Sequence, residues 1–548
     1  MTPRTILRRL SAAAVALVLL TPMTAAVAEA KSPVQIPGQA RQLKVPAIAW
    51  GSCGADPKLK PFQCASVEVP TDYDNPRGAT TTIALTRLPA GDPAHKIGTL
   101  FTNPGGPGGS GVDFVHNAAQ VAYTPELRAK FDILGFDPRG VGHSDPVTCY
   151  PTAAEEAKAT AGWPPFPVGA KEERQFIVDG AKLAAHCQTT SPDRLAHFST
   201  ANVARDMDLL RQAVGDTKLT YVGYSYGTYL GATYAKLFPK NVRALVLDGT
   251  LSPESYSGSN GDKNPVGVRL KQGEGASDTY EQFLAECKKA GANCALNKLG
   301  DPKTVVESTF TRLKTHPLDV ALPDGSTLKV TYALAVALTF SNLYDPAGFP
   351  ALADMWAQFA QLSNPNQAKA KSAAKAPQAL IEWNRRKEEY STSFGTVLQP
   401  CVEAKQSGRP LAYPAYAAAA DRRAPHFGSY RAWVGLQCEF FGIKDADAFL
   451  GPWQNQVKQP VLVFGTRHDP ATPYEATRPY ADLWPDARMV TVEGFGHTTL
   501  LKSACADRIT TEYLTDLKAP ADGSTCNQDR KAFDPSPTGK KALTLLPQ

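Results

Sequence analysis

Several features are missing from the 548 residues, and each absence removes a class of function. No Cys-X-X-Cys occurs, and no histidine stands beside a cysteine pair at zinc-ligand spacing, which argues against a metal site. After the amino-terminal region no segment approaches ~20 consecutive uncharged apolar residues, the length a membrane-crossing helix requires. No run of lysine and arginine marks a nucleic-acid face, and the formal net charge of +6 includes basic residues near both ends of the chain. No internal repeat is visible.

The amino terminus has three parts. Arg4, Arg8 and Arg9 form a positive region, Leu10 to Leu20 an apolar core, and Ala28-Glu29-Ala30 an Ala-X-Ala cleavage site. Ala26-Val27-Ala28 competes with it, so the cut is expected after Ala28 or Ala30. Residues 1–30 therefore read as a signal peptide, and 31–45 as a leader or short propeptide. No cysteine near the cut offers a lipid anchor. A secreted protein without a membrane span is expected. Ten cysteines suit an oxidising compartment: Cys53, Cys64, Cys149, Cys187, Cys287, Cys294, Cys401, Cys438, Cys505 and Cys526. Ten thiols allow roughly nine hundred pairings, among which sequential pairing is the simplest, because each bridge then closes a local loop.

Residues 46–251 alternate strand-like and helix-like segments. Val67 to Pro70 and Thr81 to Leu88 alternate at period two and predict an antiparallel hairpin. Ile97 to Thr102, Phe131 to Phe136, Leu219 to Tyr224 and Val242 to Asp248 read as strands of a mostly parallel sheet. Thr200 to Val214 and Thr228 to Phe238 read as helices. From 252 to 455 the pattern turns helical, with an alanine- and lysine-rich stretch at 368–376, and suggests an inserted, mainly helical cap. Strands resume in 456–528 at Val461 to Phe464 and Ala487 to Val492, and a helix is expected over Ala504 to Leu517. Residues 529–548 read as a loosely ordered tail.

Chemistry concentrates at Gly223-Tyr224-Ser225-Tyr226-Gly227. A Gly-X-Ser-X-Gly between a strand and a helix is a nucleophile elbow, which lifts Ser225 out of a turn too tight for flanking side chains. A serine hydroxyl needs a base, and the base needs a third group to fix its tautomer. In the order Ser, acid, His, the loop after strand 461–464 supplies Asp469 and the loop after strand 487–492 supplies His497. Asp248 is the rival acid; His468 is a poorer base because no later acid is suitably placed. The oxyanion requires preorganised N–H groups. Tyr226 offers one, and the loop Asn103-Pro-Gly-Gly-Pro-Gly-Gly-Ser-Gly111 offers the other, with Gly106 favoured because Pro104 and Pro107 have no N–H to donate. No Gly-Lys-Ser/Thr follows that loop, so it is not read as a phosphate cradle. No cofactor or metal is called for.

These motifs, with Gly135-Phe-Asp-Pro-Arg-Gly-Val-Gly142, Gly465 to Pro473 and Gly494 to His497, make the chain resemble the secreted tripeptidyl aminopeptidases among the prolyl-iminopeptidase-related α/β-hydrolases. Pro104 stands where the related exopeptidases carry a histidine, as in the tripeptidyl group. The resemblance implies an α/β-hydrolase fold and a serine exopeptidase acting on peptides with free amino termini. It also implies one or two cap carboxylates for the substrate ammonium. Glu403 and Glu439, beside Cys401 and Cys438, are the candidates. The alternatives are a carboxylesterase or lipase with the same triad and, from another class, a non-catalytic exported binding protein.

Overall fold

Twelve strands organise the computed structural model, which describes residues 43–323, 325–364, 377, 380–381 and 395–534. The elements below all lie in the unit Lys44–Gln548. The expected signal peptide, nearly all of the leader, the stretch 368–376 and residues 535–548 fall outside the described residues.

The strands are β1 (Gly51–Ser52), β2 (Gln63–Pro70), β3 (Thr80–Leu88), β4 (Gly98–Asn103), β5 (Phe131–Phe136), β6 (Leu219–Tyr224), β7 (Val242–Asp248), β8 (Leu318–Ala321), β9 (Thr327–Val330), β10 (Val461–His468), β11 (Ala487–Phe495) and β12 (Ser524–Asn527). Ten of them form one sheet in the order β1-β2-β3-β5-β4-β6-β7-β10-β11-β12. The first three strands pair antiparallel, β3 runs antiparallel to β5, and every pairing from β5 to β12 is parallel. This is an α/β architecture. Strands β5 and β6 are buried at every position, as parallel strands covered on both faces must be.

The principal helices are α1 (Gly111–Ala122), α2 (Thr200–Ala213), α3 (Tyr226–Leu237), α4 (Gln272–Lys289), α5 (Pro302–Leu313), α6 (Tyr332–Asn342), α7 (Phe349–Ser363), α8 (Gly395–Glu403), α9 (Tyr413–Arg423) and α10 (Ala504–Asp516). Val203, Met207 and Leu210 of α2 lie on one stripe and are fully buried. Helix α3 begins at Tyr226, two residues earlier than its apolar pattern suggests, because it starts directly at the end of the elbow turn.

Leu100, Phe131, Ile133, Val222, Val246 and Leu462 join Tyr513 and Leu514 of α10 in one core layer against the sheet. A second core lies within the segment between β7 and β10, where Phe283, Phe310, Phe349 and Trp356 meet. It includes Ala471 and reaches Phe495, so this segment packs on the loops that follow β10 and β11.

All five sequential cysteine pairs are disulfides: Cys53–Cys64, Cys149–Cys187, Cys287–Cys294, Cys401–Cys438 and Cys505–Cys526. No helix of the described residues is long and apolar enough to cross a membrane.

Three features differ from the sequence reading. The segment after β7 contains a hairpin, β8–β9, whose buried Leu318 and Val320 alternate with exposed Asp319 and Ala321 over only four residues. Strand β12 extends the parallel sheet although Ser524-Thr525-Cys526-Asn527 has no apolar run; the Cys505–Cys526 bridge fastens it to α10. Within the stretch expected to be loose, Ala532 and Phe533 are buried, and Phe533 packs against Phe283 and Phe349.

Candidate active site

Ser225 occupies the turn between β6 and α3 with φ 55° and ψ −124°, a conformation that costs a non-glycine residue about 1–3 kcal/mol and persists only where neighbours enforce it. The neighbours are visible. The Ser225 N–H donates to the Asp248 carbonyl at 2.9 Å, and the Ser225 carbonyl accepts from the Thr228 N–H (2.8 Å) and hydroxyl (2.7 Å). A Cβ at Gly223 would lie 2.4 Å from the Gly227 oxygen, so the flanking glycines are a steric requirement.

The loops after β10 and β11 deliver the other groups. His497 Nδ1 lies 2.9 Å from both carboxylate oxygens of Asp469. Asp469 also accepts from the Ala471 and Thr472 N–H groups at 2.9 Å, the Thr472 hydroxyl at 2.9 Å and the Thr498 N–H at 3.1 Å. Burial pushes this carboxyl upward, but the His497 charge and these donors outweigh it and hold it below its ordinary value. An ionised carboxylate only accepts hydrogen bonds, so Nδ1 carries a proton, and in the neutral imidazole Nε2 is then the nitrogen with the lone pair. His497 Nε2 is buried and without a hydrogen-bond partner among the described residues. It lies close to the elbow: a Cβ on Gly249, the residue after Asp248, would stand 3.3 Å from His497 Cε1.

The rival groups are engaged elsewhere. The Asp248 carboxylate accepts from the Thr499 N–H at 2.9 Å and the Thr499 hydroxyl at 2.8 Å, not from His497. His468 pairs with Asp278 at 2.7 Å and stacks on Phe495.

On the opposite side, the glycine-rich loop passes over the elbow at Gly105, where a Cβ would be 2.5 Å from the Tyr224 oxygen and 3.0 Å from the Tyr226 nitrogen. The Gly105 N–H is committed to Asn103 Oδ1 at 3.0 Å. The Gly106 N–H has no acceptor among the described residues, and the Tyr226 N–H, at the first position of α3, has none inside its helix. The loop thus leaves the Gly106 amide uncommitted, one residue after the glycine that packs on the Tyr226 nitrogen.

The two carboxylates proposed for an ammonium differ. Glu439 accepts from the Ser407 and Gly408 N–H groups at 3.0 and 2.8 Å and from the Tyr413 hydroxyl at 3.0 Å, which ties it into a loop. Glu403 is buried. Its Oε1 accepts from the Thr200 and Tyr256 hydroxyls at 2.8 and 3.0 Å, and its Oε2 accepts a single bond from the Thr200 N–H at 2.7 Å. Burial raises its carboxyl to about 7 against the pull of these donors. The Tyr226 hydroxyl bonds the same Thr200 hydroxyl, which puts Glu403 one side chain away from the elbow.

The sequence reading missed Tyr344, Thr472 and Lys502. The Tyr344 carbonyl accepts the His497 N–H at 2.8 Å and its ring stands edge-on to the imidazole. Lys502 Nζ donates to the His497 carbonyl at 2.8 Å. Thr472 has a local signal, three residues after an aspartate; Tyr344 and Lys502 have none, since tertiary packing alone brings Tyr344 there.

Two family models match the chain: one described as the alpha/beta hydrolase fold over residues 98–283, and one as TAP-like protein over residues 424–526. The serine protease Hip1 of Mycobacterium tuberculosis is 30% identical over 512 residues, covering 87% of this chain and 91% of that protein. The tripeptidyl aminopeptidase of Streptomyces lividans is 31% identical, covering 87% of this chain and 86% of that protein. Carboxylesterase B of Mycobacterium tuberculosis is 31% identical, covering 93% and 95%. With the elbow, the parallel sheet and these matches together, the chain belongs to the α/β-hydrolase family, among its TAP-like members, and is a serine hydrolase.

Proposed function

We propose that this protein is an exported serine aminopeptidase that releases short peptides, tripeptides foremost, from free amino termini through an acyl-enzyme on Ser225. The observation that carries the reading is the buried Asp469–His497 contact, with its unpartnered Nε2, next to the Ser225 turn. In the forward step Ser225 Oγ attacks the scissile carbonyl while His497 Nε2 takes its proton. Developing negative charge on the carbonyl oxygen is met by the Gly106 and Tyr226 N–H groups. Collapse breaks the C–N bond, and the imidazolium returns its proton to the leaving amine. Water then repeats the sequence on the ester and frees Ser225.

The segment 252–455 acts as a cap that restricts entry to chain ends; its support is the contact of Tyr344 with His497. Glu403 is the better of the two carboxylates for the substrate ammonium, because Oε2 keeps acceptor capacity and an arriving cation favours the ionised form that burial disfavours. Glu439 is spent on its loop. Export is supported by the five disulfides and by the amino-terminal sequence.

A second reading, an esterase with the same triad, is favoured by the carboxylesterase relative. Hydrolysis of free and N-acetylated tripeptide anilides separates the two. The aminopeptidase cleaves the free substrate and loses the blocked one; equal cleavage of both, or cleavage of esters alone, would sink the peptidase reading.

A further inference from the structure

Asp248 stands at the carboxyl end of β7 with its two ends doing different work. Its main-chain carbonyl accepts the Ser225 N–H at 2.9 Å, so it holds the nucleophile turn in its positive-φ conformation. Its carboxylate accepts both the N–H and the hydroxyl of Thr499, at 2.9 and 2.8 Å, two residues beyond His497. No other residue described bonds both segments. Between those segments Gly249 has φ +69°, and a Cβ there would come within 2.8 Å of Thr498 Cγ2 and 3.3 Å of His497 Cε1. The residue after β7 and the histidine loop are therefore packed closely together.

We propose that Asp248 is a positioning residue of the site, fastening the loop that carries His497 to the turn that carries Ser225. This rests on the Ser225–His497–Asp469 reading above. The carboxylate is an unusual choice for a fastener. It is buried, and a neutral side chain would be easier to bury. An ionised carboxylate only accepts, whereas an amide in its place would also bring an NH2 group that needs acceptors of its own.

The groups facing Asp248 are few. Thr499, His497 and Lys502 come from the loop after β11, and Lys502 and His497 both favour the ionised form. Asp507, in the first turn of α10, faces it across a cavity of about 20 Å³ that Tyr224 and Thr499 also line, space for about one water molecule. Burial raises the Asp248 carboxyl to about 6, and burial followed by the Asp529 and Asp248 charges raises Asp507 to about 7. Asp507 is therefore largely protonated where Asp248 titrates and disturbs it little. The sign follows: Asp248 is ionised and holds both Thr499 donors above about pH 6. As pH falls through that value it takes a proton, and its hold on the histidine loop weakens. Activity should then fall as Asp248 takes up its proton.

The test measures kcat and KM for a free tripeptide anilide from pH 5 to 9 in the full-length protein and in D248N, T499V and T499S, with a fluorophosphonate adduct mapped in each. Below about pH 6 the unaltered enzyme should lose kcat/KM more steeply than D248N does, by up to about the tenfold that the carboxylate contributes. At pH 8, D248N should lose about tenfold in kcat, the scale of a small misplacement of reacting groups, with KM within about twofold. T499V removes one donor that favours the ionised form and should move the acid limb to higher pH; T499S restores the hydroxyl and should return it. Superimposable profiles for T499V and the unaltered enzyme overturn the proposal even if D248N does not fold. Absence of an adduct on Ser225 in the unaltered protein overturns the triad reading and this proposal with it, whereas an adduct on Ser225 with unmoved profiles overturns the positioning role alone.

Discussion

Replacing Asp469 with asparagine changes one oxygen into an NH2 group, and the structure dictates which one. Oδ1 accepts two backbone N–H groups, from Ala471 and Thr472, while Oδ2 accepts one, from Thr498, together with the rotatable Thr472 hydroxyl. Putting NH2 on the Oδ1 side would set donors against two fixed donors, so it takes the Oδ2 side. There it faces His497 Nδ1, 2.9 Å away, as a donor that competes with the acceptor Oδ1 at the same distance. The imidazole answers by accepting at Nδ1 and carrying its proton on Nε2, the nitrogen that must receive the Ser225 proton. The wrong tautomer lowers kcat by ~10⁴, or about 5.4 kcal/mol of transition-state stabilisation. The Thr498 N–H left unpaired costs roughly 1–3 kcal/mol of stability, so the variant remains foldable. KM for a free tripeptide anilide should hold within a few-fold, because Asp469 touches no substrate. Steady-state kinetics beside a thermal melt check both parts. A kcat within about tenfold of the unaltered enzyme, or a larger loss in D248N, would refute the assignment of the acid.

Three further outcomes follow from the same geometry. Gly105→Ala places a methyl 2.5 Å from the Tyr224 oxygen and 2.8 Å from Ser225 Cβ, so fluorophosphonate labelling of Ser225 should fall at least tenfold in any folded fraction; unchanged labelling would mean that the loop does not brace the elbow. Arg139→Ala removes the guanidinium that bonds buried Asp206 at 2.6 and 2.8 Å and leaves it only the Tyr73 hydroxyl, and denaturant unfolding should report a loss of about 3–5 kcal/mol. Glu403→Gln should raise KM for a free-amine substrate roughly tenfold or more while phosphonate labelling persists; an unchanged KM removes Glu403 from amine binding.

Local chemistry made much of this legible in the sequence. Gly223 and Gly227 announce the elbow because no larger residue fits there, and Asp469 and His497 each follow an apolar strand, so their order implied their meeting. Excluding the prolines singled out Gly106, and the structure adds that Gly105 is already bonded. The motif around Asp137 and Arg139 read as a family signature, yet its work is architectural. Asp137 accepts from the Ser110 hydroxyl and the Val112 and His143 N–H groups, and Arg139 binds Asp206 and the carbonyls of Pro70, Thr71 and His197. What stayed hidden depends on long-range packing. Tyr344 meets His497 across more than a hundred residues with no periodicity to mark it. The short polar β12 owes its place to a bridge rather than to an apolar pattern. The two roles of Asp248, carbonyl to Ser225 and carboxylate to Thr499, appear only once β6, β7 and β11 are in register.

The most direct measurement is peptide mapping of the full-length protein after reaction with a fluorophosphonate, with His497→Ala alongside. One adduct on Ser225, formed in step with loss of tripeptide-anilide hydrolysis and slowed by at least a hundredfold in His497→Ala, is the predicted result. An adduct on another serine, or hydrolysis that continues with Ser225 fully modified, would contradict the account.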